Sequence, residues 1–131
     1  MSSDAAAPIG VLRTRLAQSR AALLRALEGV TEREFAAAFD GERSLVRVLA
    51  ELAAAERTAT RRVEGAAGPP SLPEKPLPPQ VIHDLAGARY ETERLLDRAS
   101  GEAGATLAAA VAEIVDRESA VAARIAARPR T

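Results

Sequence analysis

Residues 65–80 read GAAGPPSLPEKPLPPQ, and this stretch decides how the helices on either side of it are connected. It contains six of the eight prolines of the chain. Because proline lacks an amide hydrogen and has a fixed φ, the stretch cannot continue a helix and is expected to run extended. The 15 residues from Gly65 to Pro79 reach about 46 Å in polyproline form, whereas a 20-residue helix is only about 30 Å long. We therefore predict a crossover that leaves its flanking helices parallel. A flexible loop between antiparallel helices is the alternative.

On both sides of this crossover, apolar residues recur at three- and four-residue steps, which is typical of amphipathic helices. We predict four long helices, over Ile9–Glu28, Ser44–Val63, Val81–Ala99 and Thr106–Ala127. The apolar stripe of the first helix comprises Ile9, Leu12, Leu16, Leu23, Leu24 and Leu27.

The segment TEREFAAAF, residues 31–39, predicts a short extra helix between the first two long helices. Thr31 is followed three residues later by Glu34, which is a capping-box pattern. Phe35 and Phe39 are four residues apart, so both can fill one end of a core. We expect this helix to end before the turn that follows.

The composition agrees with a helical fold. The chain has 131 residues, of which 47% are hydrophobic but only 2% aromatic, and alanine is the best helix former. The predicted fold class is all-α: a four-helix bundle with the proline-rich crossover 65–79 between helices 2 and 3 and the extra short helix between helices 1 and 2. We expect one domain over residues 1–131.

Charge and residue usage exclude several functions. The 18 basic and 18 acidic residues cancel, and aromatic side chains are scarce, so nucleic-acid binding is disfavoured. The absence of cysteine excludes disulfides and thiol nucleophiles. The start of the chain does not resemble a secretory signal, and no apolar stretch approaches the ~20 residues of a membrane span. We therefore expect a cytoplasmic protein without membrane contact.

Two carboxylates occupy positions in apolar stripes, Glu56 in the second long helix and Glu118 in the last. Removing the partner of a buried charge costs about 3–5 kcal/mol, so each carboxylate needs a partner, water at a rim, or a proton. Arg89 flanks the stripe of the third helix and can reach either one. A structural ion pair, exposure at a rim and a functional pocket are the three interpretations.

Two stretches resemble the DinB/YfiT-like superfamily. Residues 41–63, GERSLVRVLAELAAAERTATRRV, resemble its helix 2, and residues 114–125, IVDRESAVAARI, resemble its His-Glu-x-x-His helix. The resemblance extends over residues 9–127 and includes an arginine about nine residues into helix 3, here Arg89. It implies a four-helix fold that holds a divalent metal with three histidines, one on helix 2 and two on the last helix. In that superfamily the metal supports thiol-dependent transfer or isomerisation.

The resemblance fails at the metal ligands. The three ligand positions are occupied by Glu51, Arg117 and Val121, and a tryptophan position is occupied by Arg43. Valine cannot ligate, and arginine adds a fixed positive charge. We therefore expect no metal of the usual kind and no cofactor. His83, the single histidine of the chain, falls opposite the apolar stripe and is expected to be exposed.

These observations predict a DinB-like bundle that is not an enzyme and acts as a small-molecule-binding or scaffold protein. The candidate pocket comprises Glu51, Glu56, Arg89, Arg117 and Glu118. It can accept a small molecule or a hard cation such as Mg²⁺ or Ca²⁺, which prefer oxygen ligands. The alternative is a divergent metal- and thiol-dependent transferase or isomerase with a displaced carboxylate site. Alanine-rich faces on helix 1 or the last helix also predict a homodimer.

Overall fold

The computed structural model describes residues 7–66, 72–99 and 101–129. The elements in chain order are β1 (Ala7–Pro8), α1 (Ile9–Leu27), α2 (Glu32–Ala36), β2 (Ala38–Asp40), β3 (Arg43–Ser44), α3 (Leu45–Glu64), α4 (Pro78–Arg98), β4 (Glu102–Ala103) and α5 (Ala105–Ala127). The described part of the chain is mostly helical, which confirms the all-α class. Within it, no helix is both long and apolar enough to cross a lipid bilayer.

Capping interactions are present at several helix ends. The Oγ of Ser44 accepts a hydrogen bond from the Arg47 N–H at the start of α3, which satisfies one of the free amides of the first turn. Thr31 and Glu34 form the predicted capping box at the start of α2. At the end of α3, Gly65 has φ 75°, a left-handed conformation that favours glycine.

The structure corrects the predicted extent of the short helix. α2 ends at Ala36, and the residues that follow form β2, which pairs with β3 across the predicted turn at Gly41. Phe39 therefore lies in a strand, and its side chain is half-buried. Strands of two or three residues are too short to carry an alternating apolar pattern, so periodicity did not predict them.

α4 begins earlier than predicted, because the last two prolines of residues 65–79 belong to the helix. The first helical bond joins the Val81 N–H to the Leu77 carbonyl over 2.9 Å. Pro78 and Pro79 lie in the first turn, where amide hydrogens have no partner within the helix and a fixed φ is favourable.

The chain divides into two compact units. Unit 1 comprises the described residues up to Gly29 and from Leu95 onward, and unit 2 comprises Val30–Arg94. The single domain expected from the sequence stays a prediction.

Within unit 1, α1 and α5 pack against each other in the same direction. Ala7 pairs with Ala103 just before the two helices begin, and Ser19 contacts Glu118 further along both. Contacts thus join early residues to early residues and later residues to later ones. The apolar core of the unit comprises Leu12, Leu16, Leu23, Ala26, Leu95, Leu96, Ala103, Leu107, Val111, Ile114, Ala122 and Ile125.

The prediction that Leu24 belongs to the buried stripe of α1 is wrong. Leu24 is 48% exposed, whereas Leu23 is fully buried. Neighbouring residues lie about 100° apart around a helix, so only one of the two can face the core centrally. Ser19 occupies a buried position on this stripe instead.

Within unit 2, side-chain contacts show that α3 and α4 run in the same direction. The Arg47 guanidinium donates to the Glu74 carbonyl, and the Arg57 guanidinium donates to the Asp84 carbonyl; both contacts join residues 27 apart. Glu74 lies just before α4, and Asp84 lies within it. The later residue of α3 therefore contacts the later residue of the segment that forms α4, as expected for helices that run in the same direction. The crossover itself stays a prediction, because residues 67–71 of the predicted segment lie outside the described residues. The apolar core comprises Leu45, Val46, Val48, Leu49, Ala50, Ala53, Ala59, Val81, Leu85 and Ala88.

Candidate functional site

In unit 2, the carboxylate of Glu56 forms a buried cluster with two side chains of α4. Glu56 is 5% exposed. The Nε of Arg89 donates to Oε2 over 2.9 Å, and its Nη2 donates to Oε1 over 3.5 Å. The hydroxyl of Thr92 donates to Oε2 over 2.6 Å. An ion pair was one of three interpretations open from the sequence, which allowed Arg89 to reach either Glu56 or Glu118; the structure pairs Arg89 with Glu56. Thr92 adds a second donor.

In unit 1, the carboxylate of Glu118 is buried in a second cluster, made with α1. Glu118 is 1% exposed. The hydroxyl of Ser19 donates to Oε1 over 2.6 Å, and the Nε of Arg20 donates to Oε2. Sequence reasoning missed both partners. Ser19 lies three residues after Leu16 and four before Leu23, so a polar side chain in the stripe of α1 was a signal that could have identified it.

The negative charge of the buried carboxylate is compensated in the same way in both clusters. In each, a carboxylate on one helix of a parallel pair accepts hydrogen bonds from an arginine and a hydroxyl on the other helix. Charge-assisted hydrogen bonds of this kind are about twice as strong as neutral ones. Because the guanidinium is always protonated, it compensates the buried negative charge.

Glu51 lies near the hairpin of β2 and β3 in unit 2. The guanidinium of Arg43 contacts both the Glu51 carboxylate and the Asp40 carboxylate. All three side chains are partly exposed, with relative exposures of 32% to 48%. Arg43 therefore compensates the negative charge of Glu51, which the resemblance assigns to one of the three metal-ligand positions.

The two expected ligand positions on α5 do not lie with Glu118 in the interior of unit 1. The Arg117 side chain is 59% exposed, and its Nε lies 3.9 Å from Oε2 of Glu113. Val121 is half-buried. On this helix it is Glu118, one residue further than Arg117, that faces the core. His83 is exposed, as predicted.

The described residues contain no cluster of side chains that could bind a metal ion. Among them, no group of three or more histidine, aspartate or glutamate side chains is close enough to hold a metal ion. Each of the three candidate carboxylates, Glu51, Glu56 and Glu118, contacts an arginine instead. A cation would have to compete with these guanidinium groups for the carboxylate oxygens.

Comparison of the chain with protein-family models, curated proteins and solved structures finds no match. The resemblance to the DinB/YfiT-like superfamily therefore stays a prediction from the residues quoted above.

Proposed function

We propose that this chain is a DinB-like four-helix bundle that lacks the metal-dependent chemistry of the superfamily and serves as a non-catalytic binding or scaffold protein. The parallel direction of α1 with α5, and of α3 with α4, supports this arrangement. A proline-rich crossover between the second and third long helices requires the second of these pairs.

One observation carries the functional part of the proposal. The carboxylates of Glu51, Glu56 and Glu118 each contact an arginine, namely Arg43, Arg89 and Arg20. Two of these pairs are buried, and a buried pair is disrupted only at a cost of several kcal/mol, about 3–5. Side chains committed to such pairs stabilise the helices and are poorly suited to bind and release a metal or a substrate.

Elemental analysis of the purified protein tests the proposal. We expect less than about one tenth of an equivalent of zinc, nickel or iron per chain, because Arg117 and Val121 supply no metal ligand and the Glu51 carboxylate contacts Arg43. Stoichiometric transition metal would refute it. Millimolar Mg²⁺ or Ca²⁺ should leave the melting temperature unchanged. A reproducible increase that disappears in Glu51→Gln would instead support a hard-cation site.

The alternative enzyme, a thiol-dependent transferase or isomerase, requires Glu51 to act as a ligand. Its contact with Arg43 counts against this. Thiol-dependent turnover that is lost in Glu51→Ala would favour the enzyme over the scaffold. Homodimerisation also stays a prediction, and light scattering at micromolar concentration tests it: a single monomer peak would refute it.

A further inference from the structure

The segment directly before α4, residues 72–77, is joined to α3 by one side chain, and we call this segment the strap. The guanidinium of Arg47 donates from Nη1 to the Pro73 carbonyl over 3.3 Å and from Nη2 to the Glu74 carbonyl over 2.9 Å. A guanidinium is planar and presents several N–H groups in a fixed geometry, so it can bind two neighbouring oxygens at once. The contact therefore fixes both the position and the orientation of the strap beside the start of α3.

Few other interactions hold the strap in place. Two of its six residues are prolines, which lack an amide hydrogen and are only half-buried here. Within the described residues, the two bonds from Arg47 are the only hydrogen bonds of residues 72–76. Burial of large side chains does not replace them, because Leu72 and Leu77 are 41% and 63% exposed. The position of the strap against α3 thus depends mainly on Arg47.

The other contacts of Arg47 do not explain its charge. Arg43 and Arg57, which lie before and after it in the chain, each contact a carboxylate. Arg47 has no ion pair in the part of the chain that the structure describes, although the residue is half-buried. A charged group that is partly removed from water needs hydrogen bonds in its place. The two carbonyls of the strap supply them.

Arg47 also belongs to the N-terminal cap of α3. Its backbone N–H donates to the Oγ of Ser44 over 3.2 Å. The backbone and the side chain of one residue therefore join the start of α3 to the strap. Because α4 begins at Pro78, directly after the strap, the contact also fixes where α4 begins relative to α3.

We propose that Arg47 is a clamp, and that the strap is a conformational device that opens from α3 while both helices stay folded. Opening breaks two hydrogen bonds and withdraws two half-buried prolines, whereas the core residues of unit 2 lie in the helices themselves. Segments with few buried apolar contacts open locally, in equilibria that are separate from global unfolding. This inference does not depend on the proposed scaffold function, and metal analysis does not bear on it.

A glutamate-specific protease tests the clamp, with mass spectrometry to identify the cleaved bond. Glu74 and Lys75 are exposed, but the Glu74 carbonyl is bound by Arg47, so cleavage between them requires the strap to open. The rate of such cleavage follows the population of the open form. In Arg47→Met it should be about tenfold faster than in the wild type, because two hydrogen bonds from a charged donor are lost. An unchanged rate would overturn the proposal.

The matched control is Arg57→Met. It removes another guanidinium of α3, one that donates to the Asp84 carbonyl within α4 instead of to the strap. Urea unfolding of both variants gives their global stabilities. The control should be cleaved after Glu74 at nearly the wild-type rate. If it is cleaved as fast as Arg47→Met, or if cleavage of both simply follows global stability, the strap does not open independently and the proposal is wrong.

A spin label at residue 75 measures opening without a protease. The chain contains no cysteine, so Lys75→Cys creates a single attachment site on the strap. Electron paramagnetic resonance should show a more mobile label when Arg47→Met is added, and no change when Arg57→Met is added. Identical spectra in the three proteins would refute the clamp.

Arg47→Lys is the variant to use if Arg47→Met does not fold. An ammonium group keeps the positive charge but lacks the planar arrangement of N–H groups that binds both carbonyls. Cleavage after Glu74 should therefore still be several-fold faster than in the wild type. A wild-type rate in folded Arg47→Lys would show that the guanidinium does not clamp the strap.

Discussion

Replacing Arg89 by methionine would remove the guanidinium that donates to both carboxylate oxygens of the buried Glu56. The Glu56 side chain is only 4% exposed, so water cannot readily replace the two lost hydrogen bonds. Removing one member of a buried ion pair costs about 3–5 kcal/mol, out of a total stability of about 5–15 kcal/mol for a typical protein. For a chain of this length, that corresponds to a decrease in melting temperature of roughly 10–20 °C.

Urea unfolding followed by circular dichroism measures this loss. The matched control is Arg57→Met. Arg57 also joins α3 to α4, through the Glu91 carboxylate and the Asp84 carbonyl, but the Glu91 side chain is 48% exposed and the two contacts are 3.3 Å and 3.4 Å long. An exposed pair contributes only about 0–1 kcal/mol. The Arg89 variant should therefore lose several times more stability than the Arg57 variant.

The double variant Glu56→Leu with Arg89→Met shows whether the lost stability comes from the missing ion pair or from the unpaired buried charge. Replacing both members of a buried pair by apolar side chains is often neutral or stabilising. Thr92 keeps a hydrogen bond to the Ala88 carbonyl, so its hydroxyl is not left without an acceptor. We expect stability within about 1 kcal/mol of the wild type. If Arg89→Met alone costs no more than Arg57→Met, the carboxylate does not depend on this guanidinium and the structural interpretation is wrong.

Three further variants test local features of the fold. Ser19→Ala removes a donor from the buried carboxylate of Glu118 and should cost about 1.5–3 kcal/mol in urea unfolding; a loss below ~0.5 kcal/mol would contradict the hydrogen bond. Ser44→Ala removes the N-cap of α3 and should cost about 1 kcal/mol, whereas Ser44→Asp should retain most of the stability; equal losses would argue against capping. Gly65→Ala places a side chain at φ 75° and should cost about 1–2 kcal/mol, whereas Gly10→Ala, in open space on α1, should be neutral or stabilising; calorimetry would show whether the two shifts have opposite signs.

The sequence predicted the helices well because their periodicity is repeated over many turns. Caps such as Ser44 set the starts of helices through local hydrogen bonds, which neighbouring residues determine. Where the determining contact lay outside the local window, the prediction was less accurate. The short helix ends earlier than predicted because residues 38–40 pair with a strand. Leu24 faces solvent because α1 packs with Leu23 against the core.

The candidate site shows the same division. Periodicity alone identified Glu56 and Glu118 as charges in apolar stripes, and proximity to a stripe identified Arg89. The partners of Glu118, Ser19 and Arg20, are 99 and 98 residues away along the chain, and no local pattern connects them.

The sequence by itself therefore determined the all-α class, the approximate positions of the four long helices and the presence of two charges that required compensation. These properties follow from interactions within a few turns of helix. Only the tertiary structure decided which arginine compensates each carboxylate, and that Arg43 contacts Glu51. These pairings depend on the direction and separation of helices that are distant in the chain, which side-chain packing fixes and local periodicity does not.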